Sequence, residues 1–179
     1  MKRRDFVSSM MAGGFLLMVP TGFAVARDIR YYHDVSVADA ALQPLEHKGE
    51  WWRGKVSSDA WQILFREATE PAGSSPLNGE NRNGTFVCAA CYLPLFSSET
   101  KYESGTGWPS FWAAHEKHMG TKTDYKAFWP RTEYHCIRCG GHQGHIFDDG
   151  PEPTGKRWCN NGLALTFVPE GETLPALRG

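Results

Sequence analysis

Apolar positions recur at helical spacing just after Ser57 and Ser58, where Trp61, Leu64, Phe65 and Ala68 fall on one face of a 3.6-residue period. Either serine can cap such a helix, its hydroxyl accepting an orphan amide of the first turn. The pattern predicts a short helix ending at Glu70-Pro71, with that stripe turned to a core. Beyond it the helical period gives way to short apolar runs between turn residues. Pro76, Asn78-Gly79 and Asn83-Gly84 mark a loop, and Thr85-Phe86-Val87 predicts a strand. Phe86, Leu93, Leu95 and Phe96 read as packing residues. The run Gly105 to Phe111 (GTGWPSF) excludes regular helix or strand, leaving Trp108 on a loop as core or as a pocket wall. His115 and His118 are expected on a short helix-like surface segment. Asp124 to Glu133 then leads by strand or loop towards Cys136, Leu163 to Val168 predicts a last strand, and the tail beyond Pro169 reads as loose.

The N-terminal pattern differs in kind. Lys2, Arg3 and Arg4 precede an apolar run from Val7 to Val25, and Ala24-Val25-Ala26 offers a cleavage site. Gly13, Gly14 and Pro20 argue against a membrane-spanning helix. Arg3-Arg4-Asp5-Phe6-Val7 resembles a twin-arginine export signal, so residues 1–26 are expected to be a cleaved leader to the periplasm, with no stable membrane insertion afterwards. Residues 27–55 read as an irregular extension, with Tyr31, Tyr32, Trp51 and Trp52 available for packing and His33 and His47 at the surface.

The length of 179 residues fits one domain with a real core. Aromatics at 13%, with 19 Gly and 11 Pro, favour a mainly β chain of short strands and turns over a helix bundle. A formal net charge of -1, which becomes more negative without the leader, supplies no basic field for nucleic acid.

Cysteine usage carries the chemistry. Cys88 and Cys91 form one C-x-x-C, and Cys136 and Cys139 another. Two such knuckles are the usual means of giving tetrahedral zinc four thiolates; a disulfide in each pair is the alternative. Another alternative places His142 in a three-Cys, one-His site. Cys159 is left over, with Arg157, His142, His145 and Asn161 close in sequence. An ordinary thiol, with a pKa of ~8.5, is only ~3% ionised at pH 7. Arg157 and a protonated histidine would stabilise its thiolate, so Cys159 reads as a nucleophile rather than an inert buried cysteine. Folding and metal loading before export would also shield five thiols from a disulfide-forming compartment.

The stretch GGHQGHIFDDGPEPTGKRWCNN, with PLFSSETKYESGTGWPSF upstream and both C-x-x-C pairs, resembles the methionine sulfoxide reductase B family from about Val56 to Phe167. The resemblance implies two small antiparallel sheets (a β-tent) with short N-terminal helices, a domain over 56–170 and a tail over 171–179. It implies reduction of methionine R-sulfoxide, free or in oxidised protein, with Cys159 attacking sulfur and becoming a sulfenic acid. His145 corresponds to the residue that protonates the sulfoxide oxygen. His142 and Asn161 would position substrate or water, while Trp108 and Phe147 would accept the S-methyl group. Structural zinc would be held by Cys88, Cys91, Cys136 and Cys139.

Three departures stand out. Thr106 occupies the place of a second, resolving cysteine, which implies direct recycling by a thioredoxin-like or other thiol reductant. Gly162 replaces a common Ser, and Phe128-Trp129 replace Gly-Met. Two other functions fit parts of the pattern. A non-catalytic zinc-ribbon module would keep the knuckles but have no use for Cys159, Arg157 and Asn161 together. A peroxide-reducing thiol would have no use for Trp108.

Overall fold

The computed structural model describes residues 37–179, so the expected leader, Tyr31, Tyr32 and His33 lie outside the described residues. Helix α1 (Ser58–Arg66) starts where Ser57 Oγ accepts the Ala60 amide at 3.2 Å, and it buries Ala60, Trp61, Ile63 and Leu64. It stops four residues before Glu70 because Glu67 turns left-handed, with φ of 54°. Lys122 and Lys126 grip the Glu67 carboxylate from another part of the chain, and their hydrogen bonds pull it down to about 2. The left-handed cap ends the helix, the ion pairs tie that end to Lys122 and Lys126, and the chain beyond it forms one wall of the site.

Nine strands follow: β1 (Gly84–Cys88), β2 (Pro94–Ser97), β3 (Lys101–Tyr102), β4 (Ser110–Phe111), β5 (Met119–Asp124), β6 (Arg131–Cys136), β7 (His142–Phe147), β8 (Arg157–Asn160) and β9 (Leu165–Pro169). They form a three-stranded antiparallel sheet ordered β2-β1-β9 and a six-stranded antiparallel sheet ordered β3-β4-β8-β7-β6-β5. Among the described residues, the mainly β architecture of two antiparallel sheets with one short α-helix is thus the expected one. Aromatic side chains from both sheets meet in the core. Phe96 stacks on Phe111 at 4.0 Å between centroids, Phe86 meets Phe111 edge-on at 5.0 Å, and Trp158 meets Tyr134 edge-on at 4.9 Å. Burying each fully contributes about 1.5–3 kcal/mol.

The stretch Cys136–Asn161 carries β7 and β8, flanking a loop. Three expectations are corrected. Residues 162–164 form a 3-10 turn, so the last strand begins at Leu165. His115 and His118 are buried; His118 Nδ1 lies 2.6 Å from the Pro94 carbonyl. The C-terminal tail is pinned: Arg178 donates its amide to the Cys91 carbonyl at 3.0 Å and its guanidinium to the carbonyls of Ala89 and Lys55. Trp52 is fully buried and lies parallel to Phe65 at 6.0 Å.

Candidate active site

Cys159 sits in the middle of β8, with Ser110 of β4 opposite it on one side and His145 of β7 on the other. The row continues through Glu133 of β6 to Lys122 of β5. Directly opposed residues share a face, with Cβ atoms ~4.5–5.5 Å apart. Register alone therefore lines up a hydroxyl, a thiol, an imidazole, a carboxylate and an ammonium across five strands. Gly144 lets β7 approach: a Cβ there would lie 1.8 Å from the Cys159 carbonyl oxygen.

In a regular strand, residues three apart face opposite ways. His142 and His145 nevertheless have ring centroids 5.4 Å apart, because the β6–β7 register slips between Tyr134 and His135 and leaves Gln143 as an extra residue. That bulge turns both imidazoles to one side. His145 Nε2 lies 2.8 Å from Asp124 Oδ2, while His142 Nδ1 lies 3.1 Å from Glu133 Oε1. The Asp124 carboxylate also takes the Lys126 amide at 2.8 Å and Arg131 at 2.6 Å, and these contacts hold it well below the usual carboxylate range. Burial pushes His145 down, with Asp124 opposing that shift.

Opposite the strands, residues near Glu70 close the site. Trp108 Nε1 donates to the Glu70 carbonyl at 3.1 Å, which fixes the indole. The Glu70 carboxylate accepts the amides of Gly162 and Leu163 at 2.6 and 2.9 Å, and the Glu70 amide donates to Asn161 Oδ1 at 3.1 Å. Asn161 Nδ2 in turn donates to the Gln143 carbonyl at 3.0 Å. Asn161 is thus a brace between two walls. The Gly162 departure is also explained, since a Cβ there would lie 1.8 Å from Ser75 Oγ.

These elements enclose a cavity of about 110 Å³ lined by Thr69, Trp108, Arg131, Gly144, His145, Phe147, Cys159, Asn160 and Asn161. Sites for whole small molecules are usually ~300–1,000 Å³, so this one suits the end of a side chain. Five expected site residues line it: Cys159, His145, Asn161, Trp108 and Phe147. His142 lies behind His145, buried. Arg157 is also set back: it makes a two-pronged ion pair with Asp149 at 2.8 and 2.9 Å and lies over the Phe147 ring at 4.3 Å.

The titration of Cys159 differs from the sequence-based expectation. Burial pushes the thiol above its ordinary value; Arg157 and a hydrogen bond with Thr106 oppose the rise without overcoming it. The physical reason is desolvation of the thiolate, to which Asp149 adds a little by offsetting part of the guanidinium charge. Thr106 is itself held by Ser104 Oγ at 2.8 Å, which also reaches Ser110 Oγ at 2.8 Å.

The sulfurs of Cys88, Cys91, Cys136 and Cys139 are buried and lie within 4.8 Å of one another. Nearest pairs, Cys88 with Cys139 and Cys91 with Cys136, are 3.6 and 3.5 Å apart, far beyond a disulfide bond and close to the ~3.8 Å edge of a tetrahedron with 2.3 Å metal–sulfur bonds. Both knuckles fold alike: Tyr92 and Gly140, each with positive φ, donate their amides to the Cys88 and Cys136 carbonyls at 2.9 Å. Burial pushes the Cys88 and Cys136 thiols well up, while hydrogen bonds from Cys136 and Cys139 pull Cys91 down. A divalent cation would let the whole set ionise, so the residues fit zinc. Gln143 Nε2 donates to Cys88 Sγ at 3.5 Å, and Gln143 Oε1 accepts from Asn160 beside the thiol at 3.4 Å.

No local pattern in the sequence marks Asp124, Glu133, Gln143, Glu70 or Asp149 as a site residue; Asp149 lies near its partner in the chain, 8 residues before Arg157.

Residues 56–169 match the SelR domain family. Among curated relatives, the peptide methionine sulfoxide reductase MsrB of Methanosarcina barkeri is 42% identical over 133 residues, covering 74% of this chain and 94% of its own. Those named peptide methionine sulfoxide reductase MsrB in Leptospira interrogans and Pseudomonas putida are 45% and 41% identical, covering 68% and 72% of this chain and 93% and 97% of theirs.

Proposed function

The chain belongs to the SelR domain family, that of the MsrB peptide methionine sulfoxide reductases, and from this we propose that it reduces methionine R-sulfoxide to methionine through Cys159. One observation carries the reading: Cys159 and His145 are cross-strand partners lining one small cavity walled by Trp108 and Phe147. With the S-methyl group against Trp108 and the oxygen towards His145, only one epimer presents sulfur to the thiol.

The proton balance follows from the titrations. Burial holds Cys159 as a thiol and His145 as a neutral ring, so one proton resides on sulfur in the resting site. Because Nε2 faces Asp124, Nδ1 is the ring nitrogen available to carry that proton to the sulfoxide oxygen. Cys159 sulfur then loses two electrons and takes the oxygen as a sulfenic acid. The methionine sulfur gains those electrons and leaves as a thioether. Two equivalents of an external thiol return the sulfenic acid to thiol, releasing a disulfide and water. A thioredoxin-like donor fits, because Thr106 supplies no resolving sulfur. Zinc at the four knuckle cysteines would be structural, holding β1 and β6 together. The twin-arginine-like leader expected from the sequence supports the periplasm as the setting of this repair chemistry.

The test is turnover of the R-sulfoxide, the S-sulfoxide and hydrogen peroxide by wild type and by Cys159→Ser. R-selective turnover lost in the variant is expected. Equal use of both epimers, or a preference for peroxide, would overturn the reading.

A further inference from the structure

Between Asp124 at the end of β5 and Arg131 at the start of β6, the chain turns out Tyr125, Phe128 and Trp129, which are 76%, 91% and 72% exposed. Among the described residues, the other large exposed hydrophobics are Trp51 and Leu163, at 37% and 40%. Three aromatic rings on five consecutive residues are not the scattered apolar exposure of an ordinary surface. Phe128 and Trp129 meet edge-on at 5.2 Å, so they form one patch.

Its place is fixed at three points. Asp124 holds His145, and Arg131 lines the cavity. Lys126 pairs with Glu67, two residues before Thr69, which lines the cavity from the opposite wall. Two residues span at most ~7 Å, so Trp129 cannot lie far from Arg131 at the mouth. The ion pair to Glu67 also takes up the lysine's charge, leaving an apolar rim.

We propose that this aromatic rim binds the apolar residues flanking a methionine sulfoxide in an extended polypeptide. The proposal rests on the function proposed above and adds a surface that recognises the residues around the sulfoxide. The cavity takes only a side-chain end, so the substrate backbone must cross its mouth. At ~3.3 Å per residue, positions two to four from the sulfoxide lie ~7–13 Å out, over the rim. Oxidising a core methionine disrupts its packing, so sulfoxides that need repair carry apolar neighbours newly exposed to water. The aromatic pair offers those neighbours rigid, low-entropy contact area.

The experiment compares wild type with the Phe128→Ser/Trp129→Ser double variant on three substrates. These are N-acetyl methionine R-sulfoxide amide and two pentapeptides with a central R-sulfoxide, one flanked by Leu and Phe, the other by Gly and Ser. Wild type is expected to favour the Leu/Phe peptide. The variant should lose about tenfold in kcat/KM on that peptide through KM, while the amide changes less than twofold. Equal loss on all three substrates, or no loss on the Leu/Phe peptide, overturns the rim proposal and leaves the activity standing. So does phosphatidylglycerol vesicle binding lost in the variant with peptide kinetics unchanged. If wild type turns over none of the three, the proposed function falls, and the rim with it.

Discussion

Asp124→Asn isolates the proton step. The substitution keeps the shape of a side chain whose Oδ2 lies 2.8 Å from His145 Nε2, but removes its charge. It also leaves Arg131, paired with Asp124 at 2.6 Å, without a counter-charge near the ring. Both changes disfavour imidazolium. A carboxylate at that distance raises a neighbour's pKa by ~1–2 units, and each unit is a tenfold change in population. The sign follows: burial already lowers His145, Asp124 opposes that shift, and losing Asp124 lowers it further. In the proposed mechanism the reactive arrangement has one proton on His145 with Cys159 as thiolate, so its share of the one-proton state should fall ~10- to 100-fold. In the pH profile of kcat/KM for the small amide substrate, the plateau should drop by that factor. The acid limb, where His145 takes a second proton, should move down by ~1–2 units. The alkaline limb, set mainly by Cys159, should move little. Circular dichroism checks that the fold is intact. An acid limb that stays in place, with less than threefold loss, would show that His145 does not carry the proton.

Thr106→Val removes a hydroxyl that pulls the Cys159 thiol down, so the pH midpoint for its alkylation should rise and Thr106→Ser should restore it; an unchanged midpoint would dismiss the contact. One equivalent of sulfoxide should leave a dimedone-reactive sulfenic acid on Cys159; an internal disulfide seen by mass spectrometry would instead implicate a knuckle cysteine. Cys88→Ser should lose bound zinc, lower the thermal midpoint and reduce activity as a consequence, and a metal-free, active, well-folded variant would remove the structural-zinc assignment. Replacing Arg3 and Arg4 by Lys should leave the protein in the cytoplasm, and unchanged periplasmic delivery would favour an ordinary secretory route.

What was legible in the sequence is what lies close together in it. Residues Cys136 to Asn161 hold half the candidate metal set, His142, His145 and the Cys159 thiol, so composition and spacing sufficed to nominate them. The strands carrying them were not legible, because Gly, His and Gln are poor strand formers and β7 is strand only through pairing on both sides. Register decides the rest. That Cys159 faces His145, and His145 faces Glu133, depends on pairings no local window contains. The bulge at Gln143 reverses the face a regular strand would give His142. Asp124 and Glu70 lie 21 and 91 residues from their partners His145 and Asn161, so nothing in sequence marked them. The titration of Cys159 required both its burial and the diversion of Arg157 to Asp149. The local pattern of His115 and His118 points to the surface, as polar residues usually do; their burial depends on packing against a distant segment, the Pro94 carbonyl meeting His118.

The same bulge explains why the knuckles and the thiol share one sheet. Gln143 is the residue inserted into β7, and its side chain is fully buried. Its amide nitrogen reaches Cys88 Sγ, its amide oxygen takes Asn160 beside Cys159, and its backbone carbonyl takes Asn161 at both the amide nitrogen and Nδ2. Asn160 is held from its other side by the Tyr134 hydroxyl at 2.7 Å. A buried amide that loses one partner keeps its desolvation cost, so such a network holds or fails as a unit. Releasing Cys88 from its fixed position would leave the Gln143 amide unpaired and loosen both residues that follow the thiol. On the proposed mechanism the knuckles would thus bear on the chemistry through Gln143, which bonds Cys88 on one side and Asn160 and Asn161 beside the cavity on the other.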